Sequence, residues 1–214
     1  MITVHHLNNS RSQRIVWLLE ELQLPYAIRH YRRDTVTNLA PPELKAVHPL
    51  GKSPVIDDAS VPGGRVVTES GAITDYIIRR HGGGRLLPAP GSDAHETYLE
   101  WLHFAEGSAM TPFLLALYTA RLGDAGAPLQ PRIQEQIGAH VAYFSQMLGD
   151  NDWLIDNSLS GADIMMSFIA EIAVAQGLGT QFPNLAAYVK RLQSRPAWQA
   201  AMAKTEPYNF TMKS

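Results

Sequence analysis

The chain has 214 residues, of which 45% are hydrophobic and 18% are charged, and its formal net charge is -2 at pH 7. This composition is typical of a folded protein with a large core, and the balance of charge gives no electrostatic reason to expect a nucleic-acid partner. The chain contains no cysteine, which excludes disulfides, zinc–thiolate sites and a cysteine nucleophile.

Residues 1–81 begin with strand-like and helix-like segments in alternation. Ile2–Leu7 is rich in β-forming residues, and Ser12–Leu24 carries apolar residues at helical spacing as far as Pro25. Tyr26–Tyr31 then alternates as a strand does. This β-α-β order predicts two parallel strands joined by a crossover helix.

The next segments predict a ββα unit. A short helix is expected between Pro41 and Val47. The runs Ser53–Ile56 and Arg65–Thr68 flank a Pro-Gly-Gly turn and predict a hairpin. Glu69–His81 predicts a helix that stops at three glycines. Residues 1–81 are therefore predicted to form an α/β domain of βαβ-ββα order with a mixed four-stranded sheet.

The remainder of the chain predicts helices almost throughout. Residues 82–93 contain proline and glycine and form a linker, and residues 94–214 form an all-helical domain. One long helix is expected from Ala94 to Leu122, bent at Pro112, and a second from Pro131 to Leu148.

A capping signal marks a third helix of this domain. Ser160 and Asp163 fit the S-x-x-D pattern ahead of the apolar segment Ala162–Ala175. Two shorter helices are expected to begin at Pro183 and Pro196.

The turn after the first strand carries an amide and a hydroxyl, Asn9 and Ser10, at the start of a helix. Free backbone N–H groups and the helix dipole favour an anion there. Ser10 has a second interpretation, because Ser10 and Gln13 also fit the capping pattern S-x-x-Q.

Two further segments have the polar groups of a ligand site. If Pro54 follows a cis peptide bond, the backbone groups of Ser53 are open to a peptide ligand, and an ordinary trans proline is the alternative. Glu69 and Ser70 stand at another helix start. They either cap the helix or receive an ammonium and a carboxylate group.

Taken in order, these segments resemble the soluble glutathione transferases. The N-terminal framework of that family is matched by NNSRSQRIVWLLEEL, HPLGKSPVI and TESGAITDYI, and its helical half by WLHFAEGS, LSGADIMM and RPAWQAAM. The resemblance spans nearly the whole chain. It implies a thioredoxin-like N-terminal domain, an all-α C-terminal domain, and glutathione as a substrate.

The resemblance also implies roles for individual residues. Ser53, ahead of a cis Pro54, would pair with the cysteinyl part of glutathione, Glu69 and Ser70 would hold the γ-glutamyl end, and Lys52 would hold the glycine carboxylate. Either Ser10 or Asn9 would contact the sulfur, because Asn9 stands where many classes keep serine, cysteine or tyrosine.

The energetics of thiol activation are within reach of such a site. A thiol has a pKa of about 8.5, so forming mostly thiolate at pH 7 requires about 2.7 kcal/mol of preferential stabilisation. A helix N-terminus contributes about 0.3–1 kcal/mol and one hydrogen bond to the anion roughly 1.5–3 kcal/mol. A hydroxyl or an amide can therefore suffice without a general base.

The resemblance implies a homodimeric detoxification enzyme that attacks small hydrophobic electrophiles with the glutathione thiolate. A cytoplasmic location is expected on other grounds, because MITVHHLNNS lacks the basic start and long apolar run of a signal peptide and no later apolar stretch is long enough to span a membrane. Reduction of glutathione mixed disulfides or of peroxides uses the same thiolate and remains an alternative, as does a module that binds glutathione without turnover. No metal site, nucleic-acid partner or membrane span is expected. Candidate second-substrate residues, which could instead be core, are Trp101, His103, Glu106, Ser108, Met110, Phe113 and Tyr118.

Overall fold

A computed structural model describes residues 1–210 of the chain. They form two units, one made of residues 1–87 and 193–209, and the other of residues 88–192 together with Phe210. The domain limits predicted above, 1–81 and 94–214, stay a prediction. The units differ from them chiefly in the segment 193–209, which packs with the first unit although it follows the helical half in sequence.

The first unit is built around a mixed sheet with the strand order β2-β1-β3-β4. The strands are β1 (Ile2–Leu7), β2 (Tyr26–Tyr31), β3 (Val55–Asp58) and β4 (Arg65–Thr68). Strand β1 is parallel to β2 and antiparallel to β3, which in turn is antiparallel to β4. This arrangement confirms the predicted βαβ-ββα order and the mixed four-stranded sheet.

The helices of this unit are α1 (Ser12–Glu21), α2 (Leu44–Val47) and α3 (Ser70–His81). Helix α1 ends before the predicted Leu24, because Gln23 turns to a positive φ of 50° and the Leu24 amide bonds back to the Leu19 carbonyl. This is the hydrogen-bond pattern that commonly closes a helix, so the chain has already turned when it reaches Pro25.

Successive side chains of β1 point to opposite faces of the sheet, and each face is covered by helices. Val4 and His6 point to the face that carries α1 and α3, where Ile15 and Ile77 are fully buried. On the other face, Leu7 packs with Tyr31 and with Leu44 of α2. Both faces of the sheet are therefore buried, as expected when helices cover both sides.

The second unit is helical. Its α-helices are α4 (Asp93–Phe104), α5 (Met110–Ala120), α6 (Gln130–Leu148), α7 (Gly161–Ala175) and α8 (Pro183–Gln193). The predicted long helix is interrupted by a π-helical turn over Ala105–Ala109 rather than at Pro112, which lies in the first turn of α5, where proline is tolerated. None of the helices within residues 1–210 has the length and apolarity needed to cross a membrane.

A last helix, α9 (Pro196–Thr205), packs on α1 and completes the first unit. Ala201 is fully buried, and the Arg195 guanidinium donates hydrogen bonds to both carboxylate oxygens of Glu21, at 2.5 and 2.8 Å. Burial of an apolar strip supported by a two-point charged hydrogen bond explains why this segment belongs with α1.

Candidate functional site

The topology brings the ends of three strands together at one end of the sheet. In the antiparallel ladders, His5 lies opposite Val55, and Val55 lies opposite Thr68. The end of β1, the start of β3 and the end of β4 are therefore neighbours, and helices α1 and α3 both begin at that end of the sheet. The segments around Ser10, Ser53 and Ser70 follow from this arrangement and form the candidate site.

Ser10 lies buried beside the first turn of α1. Its Oγ is 2.7 Å from Ser12 Oγ and 3.4 Å from Ser53 Oγ. The interpretation of Ser10 and Gln13 as a capping box is wrong, because Arg11 is the N-cap without a side-chain cap and the Gln13 amide instead donates to Met202 Sδ and to the Glu206 carbonyl. Ser10 Oγ accepts only a weak 3.3 Å bond from the Ser12 amide.

Asn9 is exposed and its amide is already paired. Its Nδ2 donates to the Asn209 carbonyl at 2.9 Å, and its Oδ1 accepts from the Asn209 amide at 3.0 Å. Asn9 itself has a φ of 50°, a conformation that asparagine tolerates better than most residues. The side chain thus ties the turn before α1 to the segment that follows α9.

The Ser53–Pro54 peptide bond is cis, as the resemblance implies. Ser53 Oγ donates to the His5 carbonyl at 2.8 Å and accepts from the Leu7 amide at 3.3 Å, so its side chain is held by β1. Lys52 precedes it with an exposed side chain. Gly51 has a φ of 57°, and a Cβ there would lie 2.8 Å from Lys45 Cγ, so this loop requires glycine.

Glu69 and Ser70 lie where β4 passes into α3. Glu69 is exposed with a φ of 66°, an uncommon conformation for this residue and one that costs about 1 kcal/mol or more. Its side chain makes no cap, and its carbonyl accepts the first helical bond from the Ile73 amide. Ser70 is buried, and its Oγ accepts a 2.7 Å hydrogen bond from Nη2 of the buried Arg14.

Behind Ser10, a hydrogen-bonded chain continues into the protein. Ser12 is fully buried, and its Oγ is 2.8 Å from Nδ1 of His6. Burial, together with the nearby His30, lowers the pKa of His6 to about 4, against the opposing effects of a hydrogen bond with the Thr205 backbone and the charge of Glu206. At neutral pH the His6 imidazole is uncharged.

The seven candidate second-substrate residues have different environments. Trp101, His103 and Ser108 line a groove of about 430 Å³ in the second unit, whose other walls are Glu100, Phe104, Gly107 and Tyr143. The Trp101 ring lies 5.3 Å from that of Phe104 and 5.7 Å from that of Tyr143. Three of the seven residues that line the groove, Trp101, Phe104 and Tyr143, are therefore aromatic and in contact with one another.

The other four do not line this groove. Met110 and Phe113 are core residues, as the alternative interpretation of an apolar helix face predicted. Tyr118 is exposed, with the Arg121 guanidinium 6.0 Å from its ring centre, and Glu106 is half-buried. All seven assignments stay predictions. Among residues 1–210, no three histidine, aspartate or glutamate side chains come together as metal ligands.

Sequence reasoning missed Arg14, Ser12 and His6 as parts of this region. A basic residue inside the apolar stripe of α1 was a usable signal, because a buried arginine needs an acceptor. His6 and Ser12 gave a weaker signal. Their pairing depends on which face of β1 meets α1, and only the packed structure decides that.

Comparison with known proteins agrees with this architecture along most of the chain. A sequence model described as "Glutathione S-transferase, N-terminal domain" matches residues 10–80, and one described as "Glutathione S-transferase, C-terminal domain" matches residues 107–196. Glutathione S-transferase 1 of Saccharomyces cerevisiae is 30% identical, with 95% of each chain covered. Glutathione S-transferase 3 of Schizosaccharomyces pombe is 32% identical, covering 100% of this chain and 92% of that protein.

Solved structures are similar over the same extent. A glutathione S-transferase from Actinobacillus pleuropneumoniae superposes with a TM-score of 0.88 at 34% identity, covering 100% of this chain and 97% of that one. A family member from Pseudomonas fluorescens with two glutathione molecules bound has a TM-score of 0.77 at 25% identity, covering 94% and 92%. These matches, together with the fold, establish that the chain belongs to the glutathione S-transferase family.

Proposed function

We propose that this protein binds glutathione, holds its thiol as the thiolate and transfers the sulfur to small hydrophobic electrophiles. The observation that carries the proposal is the position of Ser10, whose buried hydroxyl lies at the start of α1 and 3.4 Å from Ser53 Oγ, just ahead of the cis Pro54. A thiolate near Ser10 would receive a hydroxyl hydrogen bond together with the favourable field of the helix N-terminus.

Ser10 is favoured over Asn9 as the donor to sulfur. Both side-chain atoms of Asn9 are engaged by the Asn209 backbone, so a bond from Asn9 to sulfur would require one of those bonds to break. The Ser10 hydroxyl contacts only other hydroxyls and one weakly placed amide. A hydroxyl reorients without a backbone change, so Ser10 can donate to a thiolate without breaking a bond to a backbone group, as Asn9 would have to do.

The remainder of glutathione is assigned to the neighbouring segments. Ser53 would pair through its backbone with the cysteinyl residue, as an added strand does. Glu69 would receive the γ-glutamyl ammonium group, and Ser70 with the first amides of α3 would receive its carboxylate, next to the Arg14 guanidinium. Lys52, exposed and near the cis peptide, would pair with the glycine carboxylate.

The choice of sulfur donor is tested with Ser10→Ala and Asn9→Ala. Loss of one hydrogen bond to an anion, about 1.5–3 kcal/mol, should raise the bound thiol's pKa by roughly one to two units in Ser10→Ala. At a pH below the bound thiol's pKa in the wild type, kcat/KM of Ser10→Ala with an aryl halide should be about 10- to 100-fold lower than that of the wild type. Asn9→Ala should leave the thiol pKa unchanged. If neither variant alters it, the proposed activation mechanism is wrong.

A second pair of variants tests the peptide contacts separately from the chemistry. Lys52→Ala and Glu69→Gln should each raise KM for glutathione and leave the thiol pKa as it is in the wild type, since both groups would touch the ends of the tripeptide. A shift in thiol pKa in either variant would contradict this division of roles.

Disulfide reduction is the second candidate function. Two structural relatives, from Pseudomonas fluorescens and Lodderomyces elongisporus, hold two glutathione molecules, in the latter case per subunit. A chain without cysteine would require glutathione itself as the reducing thiol, and its thiolate would displace the partner thiol from a mixed disulfide to leave oxidised glutathione. Parallel assays with an aryl halide, an organic peroxide and a small glutathione mixed disulfide rank the activities. Binding to glutathione resin without turnover of any acceptor would support a non-catalytic module.

Assembly as a homodimer, a role in detoxification and the second-substrate residues belong to the same proposal. Tyr143 and Met147, one turn apart on α6, are both exposed apolar side chains in this single chain. An exposed apolar pair of this kind favours a surface that a second copy of the chain covers. Light scattering after size-exclusion chromatography measures the assembly. The aromatic walls of the groove next to Trp101 favour a planar apolar ligand, and quenching of tryptophan fluorescence by an aryl substrate would test that contact.

A further inference from the structure

The chain of hydrogen bonds behind Ser10 connects two different places in the first unit. It runs from Ser10 Oγ to Ser12 Oγ over 2.7 Å and from Ser12 Oγ to His6 Nδ1 over 2.8 Å, and the three side chains are all buried. The N-cap of α1 is Arg11, and Ser10 Oγ accepts only one weak 3.3 Å bond from a helix amide, that of Ser12. Helix formation therefore does not account for this row of polar groups inside a core.

The inner end of the chain borders a cavity. His6 lines a space of about 270 Å³, a volume that can hold several water molecules. The charged or titratable groups that face it come from two elements: His30, Tyr31 and Arg32 from β2 and the residue after it, and Lys204 and Glu206 from the end of α9. From α1, the ring meets the Ser12 hydroxyl at Nδ1, and from the end of α9 it meets the Thr205 backbone. His6 thus stands between Ser12 and a polar cavity.

The hydrogen bonds along Ser10, Ser12 and His6 can be donated in either of two directions. When Nδ1 of His6 is unprotonated, Ser12 donates to it and Ser10 donates to Ser12, so the Ser10 proton points inward. When Nδ1 carries a proton, it donates to Ser12, Ser12 donates to Ser10, and the Ser10 hydroxyl is released to donate outward. The protonation of Nδ1 therefore decides whether Ser10 accepts or donates at its outer side.

We propose that Ser12 and His6 are positioning residues that relay the proton of the bound glutathione thiol from Ser10 to the cavity beside His6. This inference rests on the proposed function of Ser10 as the residue that meets the sulfur.

The transfer conserves every proton. The S–H proton passes to Ser10 Oγ while the Ser10 proton passes to Ser12 Oγ and the Ser12 proton passes to His6 Nδ1. The S–H bond breaks heterolytically, leaving the electron pair on sulfur as thiolate. The imidazolium then gives up its hydrogen bond to the Thr205 backbone and releases its Nε2 proton to water in the cavity. At the end, His6 is neutral with its proton on Nδ1, and each hydroxyl donates toward the thiolate.

The environment of His6 suits a relay rather than a store for the proton. Burial and the nearby His30 lower the pKa of His6, so an imidazolium there is short-lived and passes its proton on. The same relay thus removes the thiol proton and turns Ser10 into a donor to the anion that remains.

The first test uses His6→Gln and Ser12→Ala, with the absorbance of the bound thiolate measured as a function of pH. Each change breaks the relay behind Ser10 and leaves Ser10 in place. We expect the bound thiol's pKa to rise by about one unit in both variants, which lowers the thiolate fraction about tenfold at a pH well below the wild-type value, where the affinity for glutathione should be unchanged. Matched controls are His5→Gln, on the opposite face of β1, and Ser167→Ala, a buried serine bonded within α7. The controls should keep the wild-type thiol pKa.

The second test needs no substitution. Nitrogen-15 NMR of the histidine rings in the intact protein reads which nitrogen of His6 is protonated. Glutathione should move the His6 proton to Nδ1, whereas S-methylglutathione, which keeps the peptide and lacks the thiol proton, should not.

The outcomes separate the two ideas. If the wild-type thiol pKa is not lowered on binding, the proposed function of Ser10 fails. If it is lowered but neither variant changes it, or if His6 responds equally to both ligands, the relay is overturned and the function of Ser10 stands.

Discussion

Asp58, at the end of β3, shows how one residue can hold several segments. Its side chain is fully buried, and Oδ1 accepts from the amide and the hydroxyl of Ser60 at 2.9 and 2.5 Å. Oδ2 accepts from Tyr76 Oη at 2.9 Å and pairs with His81 Nε2 at 2.8 Å. Burial favours the protonated acid, but these hydrogen bonds outweigh it and hold the pKa of Asp58 well below its usual value.

Replacing Asp58 with asparagine should lower the free energy of unfolding by about 2–3 kcal/mol at pH 7, the usual scale for hydrogen bonds to a buried charge. A depressed folded pKa makes this stabilisation complete above the unfolded value of 3.8 and lost as pH falls below it. The difference between wild type and Asp58→Asn should therefore shrink on acidification. Urea unfolding at several pH values measures it.

The control for Asp58 is Asp75→Asn in α3, which removes an (i, i+4) pair with the exposed Arg79. Such a pair contributes only a few tenths of a kcal/mol. A loss of stability in Asp58→Asn that matches this control, or that stays constant down to pH 3, would contradict the assignment.

Single residues were predicted with uneven success. A role that leaves a local signal in the sequence can be predicted, whereas one that depends on a partner in another element cannot. Ser10 and Ser53 were singled out from local signals, a helix start and a proline ahead of a strand, and the fold brings their hydroxyls together. Ser12 and His6 have no local signal that joins them. A capping pattern suggested the wrong partner for Ser10, since Gln13 reaches α9 instead.

At the scale of elements, the start of α7 is organised by its capping box. Ser160 accepts from the Ala162 amide, and Asp163 Oδ2 accepts from the Ser160 amide at 2.9 Å, which confirms the pattern read from the sequence. Asp163 Oδ1 also accepts from the Leu154 amide and from Tyr188 Oη of α8. One carboxylate thus joins a loop and two helices.

Asp163→Asn should therefore destabilise more than Ser160→Ala. The asparagine NH2 group would face amide and hydroxyl donors, leaving buried groups unpaired at about 2–3 kcal/mol, whereas loss of a serine cap costs about 1 kcal/mol. Chemical unfolding of both variants measures the difference. Equal losses would mean that the bonds to Leu154 and Tyr188 add nothing.

The pH dependence of the Asp163 effect has the opposite sign from that of Asp58. Burial raises the pKa of Asp163 to about 6 although four hydrogen bonds oppose it. The folded state therefore binds a proton more tightly than the unfolded chain, and stability from this group falls as pH rises from 3.8 through about 6. The penalty for Asp163→Asn should be larger at pH 5 than at pH 7.

Elements were the part of the structure that the sequence predicted best, because strand and helix periods are local. β1, β2 and β4 have the predicted limits, and α6 begins one residue before the predicted Pro131. The π-helical turn over Ala105–Ala109 was missed. Its sequence differs little from that of a regular helix, so periodicity alone does not reveal the extra residue in the turn.

At the scale of the whole molecule, the last helix does not group with the helices that precede it in the chain. α9 follows the five α-helices of the second unit, yet it packs on α1 of the first. The ties are specific: Arg195 pairs with Glu21, and Lys204 with Glu20. Sequence separation of more than 170 residues hides these pairs, since no local pattern links an acidic residue in α1 to a basic one in α9.

If α9 is an integral part of the first unit, a cavity in it should weaken that unit selectively. Met202→Ala removes a buried side chain whose sulfur contacts Gln13 of α1, at a cost of about 2 kcal/mol or more. Hydrogen exchange in the intact chain should show faster exchange of the amides of α9, α1 and β1, with α6 and α7 retaining more of their protection. The matched variant Met166→Ala, a fully buried methionine of α7, should produce the reverse pattern. Equal loss of protection in both units for both variants would mean that the two units open as one, and that α9 holds the whole chain rather than its first unit.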